Sequence, residues 1–123
     1  MLINIVRWRV PKEKSGKHFE FWRWWTDWLR SHRSSHPEKF YYTRSRLFTF
    51  TEEGSSEEDW MFLDEYENRE DFDKQMKAVR EDPELAKVIK DECFPRWDAV
   101  IGPGSRKRGE VWTEVEKLRV ELE

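Results

Sequence analysis

The sequence predicts an α+β domain with the ferredoxin-like β-α-β-β-α-β order, in which two helices cover one face of a four-stranded antiparallel sheet. Segments that alternate apolar and polar residues are separated by segments whose apolar residues recur at helical spacing. The length of 123 residues is that of one domain. Although 40% of the residues are charged, 8 Trp and 8 Phe provide material for a core. We therefore expect residues 1–123 to form a single domain.

The first strand and the first helix are indicated by periodicity and by the residues at their ends. The first strand alternates and is rich in β-branched residues, and Pro11 ends it. Ser15 is the expected N-cap of the helix that follows. The expected elements in chain order are a strand over 2–10, a helix over about 15–33, strands over 39–50 and 59–66, helices over 69–92 and a strand over 109–120.

Turn and cap residues separate the remaining elements. The segment 52–58 contains Gly and Ser between two alternating segments, which is typical of a hairpin loop. Asn68 is the expected cap of the second helix, and Asp82-Pro83 has the N-cap and first-residue arrangement of a new helix. Pro95 is expected to kink or end that helix, and residues 102–105 are expected to form a turn.

Composition excludes several classes of protein. No apolar run approaches the roughly 18 residues of a membrane helix, and the first residues do not resemble a signal peptide, so we expect a cytoplasmic protein without a membrane partner. The single cysteine, Cys93, excludes an internal disulfide framework and is expected to be an inert core thiol. No Cys/His cluster has zinc spacing, so no metal and no cofactor are expected. A net charge of -3 gives no general attraction to nucleic acid.

Charge is distributed unevenly along the chain. Residues 1–50 carry 11 basic and 4 acidic side chains, whereas residues 51–100 carry 7 basic and 17 acidic ones. One interpretation is that the two halves neutralise each other within the fold or across a dimer. The other is that the basic half forms a positive site for an anionic ligand.

The predicted hairpin provides the candidate site. Folding it about Ser55 places Arg46 opposite Asp64 and Arg44 near Tyr66, on a face that also holds aromatic residues. A buried Arg beside Asp and Tyr could orient a carboxylate or a phenolate, and the alternative is a cross-strand ion pair that sets the register. The candidate catalytic residues are Asp64 and Tyr66, and the candidate ligand-binding residues are Arg46, Arg44, Asn4, Trp60 and Phe62.

The first helix carries more aromatic residues than one buried face requires. Phe19 or Trp24 must therefore contact something other than the sheet, and such a patch is more typical of an oligomer contact than of a cofactor site. Three histidines, His18, His32 and His36, lie in or just after this helix. They are candidates for general bases or haem ligands, or for capping and surface residues.

The chain resembles a known superfamily at several places. The segments that carry the resemblance are Arg7-Trp-Arg-Val-Pro-Lys, Asp64-Glu-Tyr-Glu-Asn68, Asp82-Pro-Glu-Leu85 and Val111-Trp-Thr-Glu-Val115. Together with the element order, they resemble the dimeric α/β-barrel superfamily, near its NIPSNAP-like and antibiotic-biosynthesis-monooxygenase-like members. The resemblance implies a homodimer whose two sheets pair face to face, with a ligand cavity in each subunit.

The superfamily also suggests activities. Some members degrade haem or oxidise aromatic substrates without a cofactor, and others isomerise lactones. The haem degraders have an Asn on the first strand, a Trp at the end of the third and a ligand His on the second helix. Asn4 and Tyr66 fall near the first two positions, but residues 69–92 contain no His, so haem chemistry is not expected.

Three functions follow as hypotheses. The first is a homodimer that binds a small aromatic or anionic molecule and acts on it as a cofactor-independent monooxygenase or an isomerase. The second is a binding or assembly module without catalysis. The third is RNA binding, because RNA-recognition motifs share this strand order, but the acids on the third strand disfavour it.

Overall fold

The protein is an α+β domain with one four-stranded antiparallel sheet. The computed structural model describes residues 1–102 and 109–120. The elements are β1 (Leu2–Pro11), α1 (Ser15–Ser35), β2 (Arg44–Phe50), β3 (Glu57–Tyr66), α2 (Arg69–Glu81), α3 (Pro83–Val88), a π-helical turn (Ile89–Cys93), α4 (Phe94–Ile101) and β4 (Glu110–Thr113). The strand order is β2-β3-β1-β4, and every neighbouring pair is antiparallel. The predicted class and sheet are confirmed.

Two of the three predicted helix caps are present. The side chain of Asn68 accepts a hydrogen bond from the backbone N–H of Asp71 at 2.8 Å, and that of Asp82 accepts one from Leu85 N–H at 2.9 Å. The prediction for Ser15 is wrong, because a 3₁₀ turn leads directly into α1 and Ser15 already has helical dihedrals. Its hydroxyl instead donates to Glu58 Oε1 at 3.2 Å.

Two strands are shorter than predicted because they lose their partners. β2 begins only at Arg44, and the backbone N–H of Thr43 still donates to Glu65 O at 2.8 Å. The residues before Thr43 would pair beyond Tyr66, where β3 ends. β4 ends at Thr113, which lies opposite Leu2, the first residue of β1. Of the turn predicted over 102–105, only Gly102 belongs to the described residues.

Pro95 disturbs the last helical segment. In a regular α-helix its ring would clash with the carbonyl four residues earlier, and it has no N–H to donate to that carbonyl. The chain widens into the π-helical turn Ile89–Cys93 just before the proline and then continues as α4. This is the kink expected at Pro95, and Cys93 is buried within it.

The hairpin register differs by one residue from the predicted one. A turn over Glu52–Ser55 holds Gly54 at a positive φ of 80°, and the backbone N–H of Ser55 donates to Glu52 O at 3.1 Å. Consequently Arg46 pairs with Leu63, and Ser45 pairs with Asp64. Because successive side chains point to opposite faces, the slip moves the whole of β2 to the other face relative to β3.

The sheet therefore has two distinct faces. The helix-side face carries the even-numbered residues of β1 and β3, including Trp8, Trp60 and Tyr66, which are all buried. The open face carries the odd-numbered residues, together with Arg44, Arg46, Phe48 and Phe50 of β2.

A cluster of aromatic residues around His18 packs α1 and α4 on the sheet. His18 Nε2 accepts hydrogen bonds from Trp8 Nε1 at 2.7 Å and from Trp22 Nε1 at 3.1 Å. The Trp8 ring also packs against Trp97 of α4, with ring centroids 4.7 Å apart. His18 is fully buried, and this burial lowers its pKa to about 4, although the charge of Glu58 partly opposes the shift. The imidazole is therefore neutral at pH 7.

The aromatic residues of α1 that do not face the sheet have different surroundings. The guanidinium of Arg96 lies 4.0 Å from the ring centroid of Trp24, in cation-π geometry. Phe19 is 58% exposed and remains available for a contact outside the chain.

Ion pairs connect the basic and acidic halves of the chain. Arg9 lies 3.1 Å from Asp59, and Lys39 lies 3.3 Å from Asp82. These pairs support the interpretation that the halves neutralise each other within the fold. In the part of the chain described, no helix combines the length and apolar character that crossing a membrane requires.

We expect His18→Phe to lower the free energy of unfolding by about 2–4 kcal/mol at pH 7, because the indole N–H groups of Trp8 and Trp22 lose their acceptor. Urea unfolding measures this loss. The control is His36→Phe, at the half-exposed end of α1, which we expect to cost less than about 1 kcal/mol.

The stability that neutral His18 provides is fully present above its ordinary pKa of 6.5 and is lost as the pH falls toward about 4. That acid-side loss should be smaller in His18→Phe, and equal stabilities of the two proteins would contradict the role of His18.

Candidate functional site

A cavity of about 600 Å³ lies between the helix-side face of the sheet and the helices. The aromatic cluster around His18 fills one end of this face, and the cavity occupies the other end, where β1 begins and β3 ends. Most of its wall is apolar and comes from all the helices, including Trp25, Phe72, Leu85 and Trp97. Its polar side chains include Asn4, Tyr42, Ser45, Asp64, Tyr66 and Gln75. A mostly apolar cavity with a few polar groups is typical of a small-molecule site.

Strand geometry brings the polar groups together. Asp64 and Tyr66 are two residues apart on β3 and therefore lie on the same face. Asn4 lies directly opposite Asp64 on β1, and Ser45 lies opposite it on β2. Gly109 closes this side, since a Cβ there would lie 2.8 Å from Asn4 Oδ1. A glycine is thus required for the chain to pass so close to Asn4.

Asp64 is a half-buried carboxyl group in the wall of the cavity. It accepts a hydrogen bond from Ser45 Oγ at 2.5 Å. Burial raises its pKa from the ordinary 3.8 to about 6, and the Ser45 hydrogen bond only partly opposes this shift. Asp64 can therefore give or accept a proton near neutral pH.

Tyr66 is fully buried beside Asp64, and its hydroxyl makes no hydrogen bond within the described residues. Burial raises the pKa of this phenol, and the neighbouring Asp64 and Tyr42 raise it further. The pKa of Tyr42 is also raised, first by burial and then by Asp64. Tyr66 is thus a protonated hydrogen-bond donor that has no partner among the described residues. Buried polar groups rarely lack a partner.

The structure assembles only part of the predicted site. Four of the predicted site residues line the same cavity, namely Asn4, Phe62, Asp64 and Tyr66. Trp60 shares their face but lies outside the cavity, at the filled end, where its Nε1 donates to Glu58 Oε1 at 2.7 Å.

The predicted pairing of Arg46 with Asp64 is wrong. Arg46 lies on the open face and donates to Glu65 Oε1 at 2.8 Å. Arg44 lies on the same open face, directly opposite Glu65, so neither arginine is an anion anchor in the cavity. The cause is the one-residue shift of the hairpin register.

Sequence reasoning missed four polar groups of the cavity, which are Tyr42, Ser45, Arg69 and Gln75. Ser45 was assigned to the other hairpin face by the same register error. Gln75 lies on the buried face of α2, where its Oε1 accepts a hydrogen bond from Tyr41 N–H at 2.8 Å. Its position three residues after Phe72, on the apolar side of the helix, was the available signal.

No histidine lines the cavity within the described residues. His18 lies at the centre of the aromatic cluster described above, and His32 and His36 lie at the end of α1.

Comparisons with protein-family models and with curated proteins find no match to this chain. Its function is therefore inferred from the geometry and chemistry of the cavity.

We expect Asp64→Asn to stabilise the protein relative to wild type at pH 7 but not at about pH 4. Between its ordinary pKa of 3.8 and about 6, folded Asp64 holds a proton that the unfolded chain releases, so wild-type stability falls as the pH rises. The advantage of the variant should grow by about 2–3 kcal/mol across this range. His18 has the opposite pH slope, but it is present in both proteins and cancels in the difference.

Urea unfolding at several pH values measures this difference. The control is Asp73→Asn, an exposed carboxylate on α2, for which the difference should stay below about 1 kcal/mol and change little with pH. A constant difference for Asp64→Asn would show that Asp64 is solvated.

Proposed function

We propose that the protein binds a small, uncharged and largely aromatic molecule in the cavity and catalyses a proton transfer on it, as an isomerase does. The observation that carries the proposal is the juxtaposition of Asp64 with the unpartnered hydroxyl of Tyr66 in an apolar cavity. A base with a pKa near 6, beside a buried hydrogen-bond donor, suits proton abstraction next to a carbonyl group.

The residues have distinct roles in this reaction. The ionised Asp64 carboxylate takes a proton from the carbon next to the substrate carbonyl, and the electron pair of that C–H bond forms a C=C bond. The carbonyl π electrons move to oxygen, which becomes an enolate oxygen. The Tyr66 hydroxyl and the Asn4 amide, which both line the cavity, donate hydrogen bonds to that oxygen. In a substrate with a C=C bond between its β and γ carbons the enolate is a dienolate, and protonated Asp64 returns the proton to the γ carbon. The oxygen electrons re-form the C=O bond, and the C=C bond moves to between the α and β carbons, which completes an isomerisation.

The charge of the cavity favours a neutral ligand over an anionic one. Arg44 and Arg46 lie on the open face, and Arg69, which lines the cavity, is paired with Asp73 at 3.1 Å. Ionised Asp64 would repel an anion. The apolar wall instead matches an aromatic or alicyclic body. Cofactor-independent oxygenation would begin with the same proton removal and would then require O₂ as co-reactant.

The alternative is a binding module without catalysis, in which Asp64 and Tyr66 only orient the ligand. RNA binding is less well supported, because β1 and β3 present no aromatic residue on the open face, and their aromatic residues point toward the helices.

We also propose that two copies of the chain pair through their open sheet faces, as in the dimeric α/β-barrel superfamily that the sequence resembles. The strand order and the helices on one face are compatible with that arrangement. The open face exposes Phe48, Phe50 and Trp112, with relative exposures of 41%, 62% and 55%. Ion pairs such as Arg46 with Glu65 and Arg7 with Glu110 leave this face balanced in charge, so a second copy is not repelled.

Proton transfer can be tested with 2-tetralone as a probe in D₂O. NMR should show binding and enzyme-dependent exchange of deuterium next to the carbonyl. We expect the exchange rate to fall by about 10²–10⁴ in Asp64→Asn and by about 10²–10³ in Tyr66→Phe, because these variants remove the base and one donor to the enolate oxygen.

The control variant is Glu65→Gln, which removes the neighbouring carboxylate on the opposite face of β3 and should leave exchange unchanged. Binding of the probe without exchange would support the non-catalytic module. Exchange that is equal in wild type and Asp64→Asn would contradict the role of Asp64.

Light scattering tests the pairing of the sheets. We expect a mass near twice 15.2 kDa at micromolar concentration, and a monomer for Phe48→Glu, which places a charge within the proposed interface. Phe19→Glu changes the exposed aromatic residue of α1 and should leave the dimer intact. The reverse pattern would assign dimerisation to the helix, and a monomeric wild type would exclude both surfaces.

A further inference from the structure

Two histidines and a glutamate converge outside the cavity, where the end of α1 meets the start of α3. His32 and His36 are four residues apart, so the final turn of α1 brings them to the same side. Glu84 lies in the first turn of α3. One potential ligand atom from each of the three lies within 4.8 Å of the others.

His32 is held in place by aromatic rings, and one of its ring nitrogens faces Glu84. Its ring stacks on Trp28, with centroids 4.6 Å apart, and packs edge-on against Phe40 at 5.7 Å. Its Nε2 is shielded from solvent and makes no hydrogen bond among the described residues. This nitrogen lies 3.4 Å from Glu84 Oε2. A fixed imidazole nitrogen that faces a carboxylate at this distance can share a positively charged partner with it, a proton or a metal ion.

We propose that His32, His36 and Glu84 bind a divalent transition-metal ion, with Zn²⁺ as the best match. Imidazole nitrogen and carboxylate oxygen are both zinc ligands, whereas Mg²⁺ and Ca²⁺ prefer oxygen alone. Two atoms bound to tetrahedral zinc lie about 3.4 Å apart, given bonds of about 2.0–2.1 Å. The distance of 3.4 Å between His32 and Glu84 already equals this separation.

The remaining coordination positions are accessible. His36 is the C-cap of α1 and half-exposed, so a side-chain rotation can bring its nitrogen to the metal. Glu38 Oε1 lies 3.8 Å from His36 Nδ1, which makes Glu38 or a water molecule the candidate fourth ligand. Lys39 is the neighbouring cation, and it is paired with Asp82 at 3.3 Å.

The metal would connect two elements that border the cavity. Phe40, which contacts His32, and Leu85, which follows Glu84, both line it. A bound ion would therefore fix the end of α1 to the start of α3 at the cavity rim. This inference does not depend on the proposed proton transfer, because none of the three ligands lines the cavity.

Calorimetric titration of ZnCl₂ into tag-free, chelator-treated protein tests the site. We expect one Zn²⁺ per chain and a rise in Tm on zinc addition, with no binding of Mg²⁺. Glu84→Gln and His36→Gln should each weaken Zn²⁺ binding at least about tenfold, the range that metal-site changes typically produce, and abolish the rise in Tm. Both residues are partly exposed, so both variants should remain folded, which circular dichroism verifies.

The matched control is Glu81→Gln, which removes an exposed carboxylate at the end of α2 and should bind Zn²⁺ like wild type. Absence of Zn²⁺ binding by wild type would overturn the proposal. Binding that is unchanged in both Glu84→Gln and His36→Gln, or lost equally in Glu81→Gln, would also overturn it.

Discussion

The arrangement of the domain depends on the hydrogen bonds that the neutral imidazole of His18 accepts. It accepts hydrogen bonds from two indole N–H groups, one on β1 and one on α1. Large aromatic rings provide most of the buried area, and Trp N–H groups need partners when they are buried. By satisfying two such groups at once, His18 allows tryptophans to pack densely where α1 crosses the sheet. The proximity of the helix to β1 follows from this contact.

The dense packing at one end of the sheet leaves the cavity at the other end. The rings around Trp8 and Trp60 fill the space above the later part of β1 and the earlier part of β3. Nearer the start of β1, the helix-side residues include the smaller Val6 and the polar Asn4, which both line the cavity. Asp64 and Tyr66 thus lie where large side chains do not exclude a ligand. Their raised pKa values follow from this placement, because the apolar wall removes water from both groups.

The arginines of the described strands lie on the open face of the sheet. Arg9 and Arg46 pair with acids across strands on the open face. Such pairs contribute little to stability, but they keep a partly apolar face balanced in charge. The two sides of the sheet therefore differ in chemistry: the helix side has the cavity, and the open side has exposed aromatic residues and paired charges.

Local sequence signals determined the elements, and long-range contacts decided the sites. Alternation, helical spacing and the caps at Asn68 and Asp82 predicted the α+β class and the order of strands and helices, because these features act within a few residues. The sharing of a face by Asn4, Asp64 and Tyr66 was predictable in part from the period of a strand. The exclusion of Arg46 was not, because the turn at Gly54 sets the register, and one residue of slip reverses a face. The spacing of His32 and His36 was visible in the sequence, but the approach of Glu84 depends on the packing of α3 against α1, which only the tertiary structure decides.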